Sequence, residues 1–338
     1  MAATSPAETS ILEPLDLAIV RKLQLDPRAP FRQIAAELGL AEQTIARRYR
    51  RLRREGLVRV IGSVDAPALG EDDWLIRVRC RPEGAVKVAE ALARRDDAAW
   101  ISIAAGGAEV AFSLHPRTQQ DRDDLLVQRL QRTAPVLDIT AALILHRFVG
   151  RHAIDYRGRR DLHSGNRSSE SATRTVHIED TDRALLDLLA HDGRTSYATL
   201  ARATGLTEGR VVRRIATLHD AGILYFDLDI APAAMGSGIA TFLWLNVAPA
   251  QLDSIGTAIA DFEETTYTAA VTGPFNMFTT LFCESTRALY HFMSTKMATL
   301  QGIHSFELSP VLRRVKQAGT ITHGDLLAPP APPARRNR

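Results

Sequence analysis

Gln43, Thr44, Arg47, Arg48, Arg50, Arg51 and Arg54 fall within twelve consecutive positions, a dense set of hydrogen-bond donors carrying strong positive charge. A guanidinium fork fits O6 and N7 of guanine, and it fits two phosphate oxygens equally well. The chemistry these residues suit is recognition of a polyanion. Gln43 and Thr44 lead the segment and are the candidates for base edges. The arginines behind them are candidates for phosphate contacts, which set register without reading sequence. On an isolated helix the same residues would be an ordinary solvated face, so their setting decides.

That setting is a repeat. Residues 15–70 recur as 181–236 at a constant offset of 166, with fifteen of the 56 positions identical. Asp26-Pro27-Arg28 returns as Asp192-Gly193-Arg194, Gly39-Leu40 as Gly205-Leu206, Arg47-Arg48 as Arg213-Arg214, and Gly56 as Gly222. A unit of half the chain indicates tandem duplication rather than a solenoid. The second copy offers Thr207, Arg210, Arg213 and Arg214, with Thr207 suited to cap a helix. Charge separates the copies. Residues 11–60 hold eleven Arg or Lys against six acids, and residues 177–226 hold six against seven. Attraction to phosphate supplies most non-specific affinity, so the first copy is expected to bind DNA more strongly. The second either contacts DNA as well or is mainly structural.

The elements that must position these residues are short. Ile19 and Leu23, repeated as Leu185 and Leu189, lie four apart on a first helix. Asp16 and Asp182 stand where a helix N-terminus favours a carboxylate. A second helix ends at Gly39 or Gly205, and a third spans about 42–55 or 208–221 before Gly56 or Gly222. Helix, glycine turn, helix is the helix-turn-helix arrangement. Each copy then continues β-α-β-β-α-β, a ferredoxin-like sandwich. The expected fold class is α+β: two winged-helix-like helix-turn-helix domains, each followed by a ferredoxin-like domain. The expected boundaries are a disordered tail over 1–13, helix-turn-helix domains at 14–64 and 177–230, and ferredoxin-like domains at 70–150 and 236–318. A linker is expected at 151–176 and a second disordered tail at 319–338.

This order of elements resembles the Lrp/AsnC (feast/famine) family of transcriptional regulators, here as a tandem-duplicated chain with two ligand-binding (RAM-type) domains. Leu15-Asp16, Asp26-Pro27-Arg28, Gly39-Leu40, Arg47-Arg48, Leu52 and Gly56 carry the likeness, together with Asp182, Asp192-Gly193-Arg194, Gly205-Leu206-Thr207, Arg213-Arg214, Leu218 and Gly222-Ile223. The resemblance implies double-stranded DNA as partner and homo-oligomerisation. It also implies an amino acid or other small effector where regulatory domains pair, near Gly107, Gly273, Phe275 and Asn276. The family's turn there reads Gly-x-x-Asp, but Val110 and Asn276 occupy the aspartate positions. The carboxylate that would meet an amino group is missing from both copies, and the glycines have a plainer reading as turn formers.

Arg77, Arg79 and Arg81 share one side of a strand, and the constant offset sets Leu243, Leu245 and Val247 opposite them in the second half. If that side meets a partner sheet, like charges oppose pairing of two first halves, and the two unequal halves are expected to pair with each other. Otherwise the arginines face water.

Composition narrows the rest. Cys80 and Cys283 are too few for a disulfide framework, and no histidine cluster has metal-ligand spacing. No cofactor, metal or membrane partner is expected, and a cytoplasmic location is. There is no phosphate-cradling glycine loop and no nucleophile elbow, so a non-enzyme is expected. The alternative is a sirohaem decarboxylase-like enzyme, since fused pairs of this fold include such enzymes. That chemistry would need histidines and arginines around a large pocket. Trp100-Ile101-Ser102 and Thr266-Tyr267-Thr268 stand where a His-Asn-Tyr-like motif would be sought.

Overall fold

A computed structural model describes residues 12–148 and 176–329, apart from positions 82, 117 and 237. The first half begins with α1 (Pro14–Leu25), α2 (Phe31–Leu38), α3 (Glu42–Arg54) and β1 (Val58–Val64). Gly39 closes α2 at φ +66°, a left-handed conformation that glycine adopts without strain, and this turns the chain into α3. The ferredoxin-like unit follows as β2 (Trp74–Cys80), α4 (Ala85–Ala93), β3 (Ala98–Ala104), β4 (Glu109–Leu114), α5 (Gln119–Asp123) and β5 (Val136–Arg147). The second half repeats this plan. It comprises α6 (Asp180–His191), α7 (Tyr197–Thr204), α8 (Glu208–Asp220), β6 (Leu224–Ile230), β7 (Ile239–Val247), α9 (Leu252–Ala260), β8 (Thr265–Val271), β9 (Met277–Cys283), α10 (Thr286–His291) and β10 (Ile303–Arg314). Element order and fold class agree with the sequence reading. The linker expected at 151–176 lies, except for its last residue, outside the described residues.

The two ferredoxin-like sheets do not remain separate. Their strand orders are β3-β4-β2-β5 and β10-β7-β9-β8, and the edges join β5 to β8 and β10 to β3 in one closed eight-stranded barrel. Closure removes the unpaired edges that an isolated four-stranded sheet would expose. Outside, α4 covers Ile76, Val78 and Cys80, and α9 covers Leu243, Leu245 and Val247. Inside, Leu75, Ala104, Ala111 and Ala142 from the first half meet Phe242, Trp244 and Phe278 from the second. Small side chains of one sheet accept the large ones of the other.

This interior corrects one expectation. Leu243, Leu245 and Val247 do not share a face with Arg77. The offset of 166 fails between Gly236 and β7, and a strand alternates with period two, so a one-residue slip turns the face over. Phe242 and Trp244 are the residues facing the interior. Arg77 points into it, donating from Nε to Glu109 at 2.7 Å and from both terminal nitrogens to Glu307, with its guanidinium 5.0 Å from the Trp244 ring. Burial drives the Glu109 carboxyl above its usual range, although Arg77 opposes the shift. Arg79 and Arg81 remain exposed.

The helix-turn-helix domains join through their strands. β1 pairs antiparallel with β6, from Val58 opposite Ile230 to Val64 opposite Leu224, with Ile61 opposite Asp227 at the centre. Positions 61 and 227 are equivalent in the repeat, so this pairing has a pseudo-two-fold axis through its middle. Each strand also crosses over: Leu228 and Ile230 pack in the first helical core, and Val64 packs against the second.

The tail assignment at 319–338 is corrected for 319–329, while 330–338 lie outside the described residues. Residues 315–329 leave the barrel and return to the first helix-turn-helix domain, with β11 (Thr322–His323) pairing with β12 (Leu326–Leu327). Val315 N–H donates to Ile101 O, the Gln317 amide to Ile230 O at 2.8 Å, and Leu327 N–H to Gly56 O at 2.8 Å. Leu327 is buried in the core that holds Ile19, Leu23 and Leu52. Gly56 allows this approach, since a Cβ there would meet Leu327 O at 2.5 Å, whereas its duplicate Gly222 has open space. At the other end, Leu12 is buried in the same core, and residues 1–11 of the tail expected over 1–13 lie outside the described residues.

Candidate nucleic-acid interface

The buried side of α3 carries Ile45, Tyr49 and Leu52, which turns Gln43, Arg47, Arg50 and Arg54 to solvent and leaves Thr44 half-buried. Arg47, Arg48, Arg50, Arg51 and Arg54 together line one shallow hollow. Arg50 donates from Nε to Ala46 O at 3.1 Å, which braces its stem along the helix. Among the described residues, no acid pairs with Arg47, Arg50 or Arg54. Their charge is available to a ligand.

Arg48 and Arg51 have a different employment. Asp16, fully buried at the third position of α1, takes both: Arg48 Nη1 lies 3.1 Å from Oδ1, and Arg51 donates to Oδ2. Glu13 adds a 2.7 Å contact to Arg48, and the Arg48 hydrogen bond holds the Glu13 carboxyl below its ordinary value. Asp16 is also part of a capping box, accepting from the Glu13 backbone N–H at 3.3 Å. These arginines therefore fix the angle between α1 and α3. The repeat preserves only half of this. Arg214 donates from Nε to Asp182 Oδ1 at 2.5 Å and from Nη2 to His177 O at 2.6 Å, while Thr217 stands where Arg51 does. Burial disfavours the Asp182 charge, but the Arg214 fork and the Glu179 N–H outweigh it and hold its carboxyl below the usual value. Arg48, Arg51 and Arg214, expected at the DNA surface, are held in these ion pairs, with Arg48 and Arg51 still lining the hollow on α3.

On α8, Thr207 caps the helix, its side chain accepting from Arg210 N–H at 3.4 Å. Arg210 and Arg213 are exposed, and Arg213 Nε reaches Gly209 O at 3.3 Å. Equivalent positions diverge at the surface. Gln43 becomes Gly209, Thr44 becomes Arg210, and Arg50, Arg51 and Arg54 become Ala216, Thr217 and Asp220; Arg47 alone persists as an exposed cation, Arg213.

A pair of residues outside the expected set holds the two helix-turn-helix domains together. Arg28 donates to Gly193 O at 2.6 Å and to Thr195 O at 3.3 Å, and Arg194 donates to Pro27 O at 2.7 Å and to Ala29 O at 2.9 Å. Each guanidinium also lies over aromatic rings of the opposite domain: Arg28 over Tyr197 and Phe226, and Arg194 over Phe31 and Tyr49. Arg28 and Arg194 are repeat equivalents, as are Phe31 and Tyr197, so the clasp is reciprocal. The signal was present as the repeated Asp-x-Arg; the aspartates fold the loop, accepting Arg28 N–H and Arg194 N–H at 3.0 Å. Arg53 adds a 2.8 Å ion pair to Asp192 across the same junction.

At the expected effector positions, Gly107 and Gly273 adopt φ +86° and +113° with open space where a Cβ would be. Phe275 packs against the barrel interior. Asn276 is occupied: its Oδ1 accepts Val247 N–H at 2.8 Å and its Nδ2 donates to Val247 O at 2.7 Å. The amide thus closes the end of β7, and as an effector contact it is corrected to a structural one. No cluster of potential metal ligands occurs among the described residues, and no helix there is long and apolar enough to cross a membrane.

An AsnC-type helix-turn-helix model matches residues 12–53 and again 178–219, and a Lrp/AsnC ligand-binding domain model matches 240–321. An uncharacterised HTH-type transcriptional regulator of Pyrococcus horikoshii is 32% identical over 148 residues, 44% of this chain and 93% of that protein. The chain belongs to the Lrp/AsnC family. The regulatory protein AsnC of Escherichia coli is 28% identical over 146 residues, 41% of this chain and 96% of its own length. A Lrp/AsnC unit thus fits in under half of this chain, as the duplication requires. The crystal structure of the siroheme decarboxylase NirDL superposes with TM-score 0.61 over 92% of this chain and 94% of that one at 13% identity, a likeness of fold.

Proposed function

We propose that this Lrp/AsnC-family chain is a sequence-specific double-stranded DNA-binding regulator of transcription. The observation that carries the reading is the face of α3, where Arg47, Arg50 and Arg54 stand exposed around one hollow with no acid among the described residues to neutralise them. A helix of this width enters the major groove, and Gln43 and Thr44 lead it. The clasp of Arg28 and Arg194 holds α3 and α8 at a fixed separation, as half-sites about one helical turn apart require, roughly 34 Å. The barrel acts as the spacer beneath them.

The regulatory domains are proposed to take a small effector near Gly107, Gly273 and Phe275. With Asn276 bound to Val247, recognition of an amino group by a side chain at that position is not part of this reading. A ligand there shifts DNA affinity only if it binds one arrangement of the domains better than another. The enzymatic alternative gains nothing from the barrel interior, which Phe242, Trp244 and Phe278 fill.

Selection of bound duplexes from a random pool, repeated with Arg47→Ala and with Arg213→Ala, tests the DNA reading. Enrichment of one sequence by the parent chain, lost in Arg47→Ala, is expected. A parent chain that enriches nothing and ignores duplex DNA in dilute salt would remove the proposal. Thermal shifts across the common amino acids test the effector, and no shift with any of them would end its amino-acid form.

A further inference from the structure

The two readers are held as a pair but are not the same reader. The β1–β6 register centres on Ile61 opposite Asp227, the Arg28–Arg194 clasp is reciprocal, and both recognition helices are anchored by an equivalent Arg–Asp pair. The scaffold is therefore pseudo-two-fold, and it presents α3 and α8 to a duplex in inverted orientation. Within the two recognition helices, the exposed side chains break the symmetry. Gln43 and Thr44 face Gly209 and Arg210 as counterparts, and Arg50 and Arg54 face Ala216 and Asp220.

From this we infer that the chain recognises a directional operator: two inverted half-sites of different sequence, with α3 always on one and α8 always on the other. The inference rests on the DNA-binding reading above. A homodimer presents the same helix twice and so matches a palindrome, because operator symmetry mirrors protein symmetry. A duplicated chain that has diverged at its reading positions cannot do so. Gln43 offers the amide that pairs bidentately with adenine N6 and N7, whereas at the equivalent place Gly209 offers nothing and its neighbour Arg210 offers a fork for guanine O6 and N7. Arg47 and Arg213 supply the contact common to both halves. Arg50 and Arg54 add phosphate contacts to the α3 half alone, and Asp220 repels phosphate on the other. The α3 half-site carries most of the salt-sensitive affinity, and the α8 half-site gives the site its direction.

Two linked measurements on the full chain test this. Selection from random duplexes is expected to return two dissimilar half-sites. Glu42→Cys, an exposed position at the start of α3, then allows an iron chelate to be attached beside that helix only, since Cys80 and Cys283 are both buried. On the selected duplex, strand cleavage is expected at one end of the site. Gln43→Ala should weaken binding by roughly 5- to 150-fold when the α3 half-site is intact and change little when that half-site is already mutated. A palindromic consensus, a single half-site, or equal cleavage at both ends overturns directionality while leaving DNA binding in place. Absence of any duplex binding by the parent chain sinks the earlier reading itself, and the directional operator with it.

Discussion

Arg47 and Arg48 are neighbours with opposite duties. Arg47 is exposed with no acid partner among the described residues, while Arg48 shares the buried Asp16 with Arg51. Among the described residues Arg214 is the one guanidinium paired with Asp182, because Thr217 replaces the second arginine. Removing one partner of a buried pair leaves an uncompensated charge and is strongly destabilising. Arg214→Ala is expected to lose about 2–4 kcal/mol, somewhat less than for a fully buried pair because the arginine is partly exposed. Arg48→Ala should lose less, about 1–2 kcal/mol, since Arg51 still serves Asp16. Arg47→Ala should stay within about 0.5 kcal/mol of the parent and weaken DNA binding instead. Chemical denaturation of the three variants beside their DNA affinities checks the ordering. Acid dependence follows from Asp182. Its carboxyl is held below the ordinary 3.8, so its stabilisation is complete above that pH and fades as pH falls through the lower folded-state value. Melting of Asp182→Asn against the parent should therefore differ most near neutrality and converge in strong acid. The residue types of this site were legible in the sequence. Which arginine faces out was not, because that depends on where a carboxylate from a helix thirty residues away comes to rest.

At the scale of elements, helix and strand order could be read from glycine stops and periodicity, and both copies gave the same answer. What could not be read was every contact between the copies. The Asp-x-Arg loops look like local turns and are local turns, yet their arginines reach across to the other domain. Arg28→Ala combined with Arg194→Ala removes two reciprocal sets of charge-assisted hydrogen bonds and their ring contacts, and a loss of about 3–5 kcal/mol is expected. DNA affinity should fall with it although neither recognition helix is touched; unchanged affinity would show that the clasp does not set the spacing. The strap beyond residue 318 was also not legible, since Gly319–Asp325 is polar and glycine-containing and shows neither helical nor strand periodicity. Ending the chain after Ala318 takes Leu327 out of the first helical core, a loss of roughly 1.5–3 kcal/mol. Hydrogen exchange should then quicken in α1 to α3 more than in α6 to α8, because Gly222 carries no strap. Equal quickening in both domains would contradict the assignment.

For the whole molecule, duplication within one chain changes what pairing can mean. The barrel interior sets Ala104, Ala111 and Ala142 of one sheet against Phe242, Trp244 and Phe278 of the other. Two first-half sheets would face alanine with alanine and Arg77 with Arg77, leaving voids and like charges. Two second-half sheets would crowd aromatics into one space. Close packing penalises both errors, so the unequal halves select each other, and Arg77 completes the choice by reaching Glu307 across the seam. Sequence reasoning anticipated this pairing of unequal halves but assigned the wrong leucines to it, because a strand gives no sign of a one-residue shift until its neighbours are in place. The barrel in turn places two unlike helix-turn-helix domains on a common scaffold, and everything proposed for function descends from the exposed charge on one of them. Equilibrium binding to the selected duplex across a salt series, comparing the parent with Arg47→Ala/Arg50→Ala/Arg54→Ala, tests that most directly. Each lost phosphate contact should flatten the dependence of log affinity on log salt by about 0.9, so the triple variant should be shallower by about 2.7 while melting like the parent. A well-folded variant with the parent's slope and affinity would contradict the account.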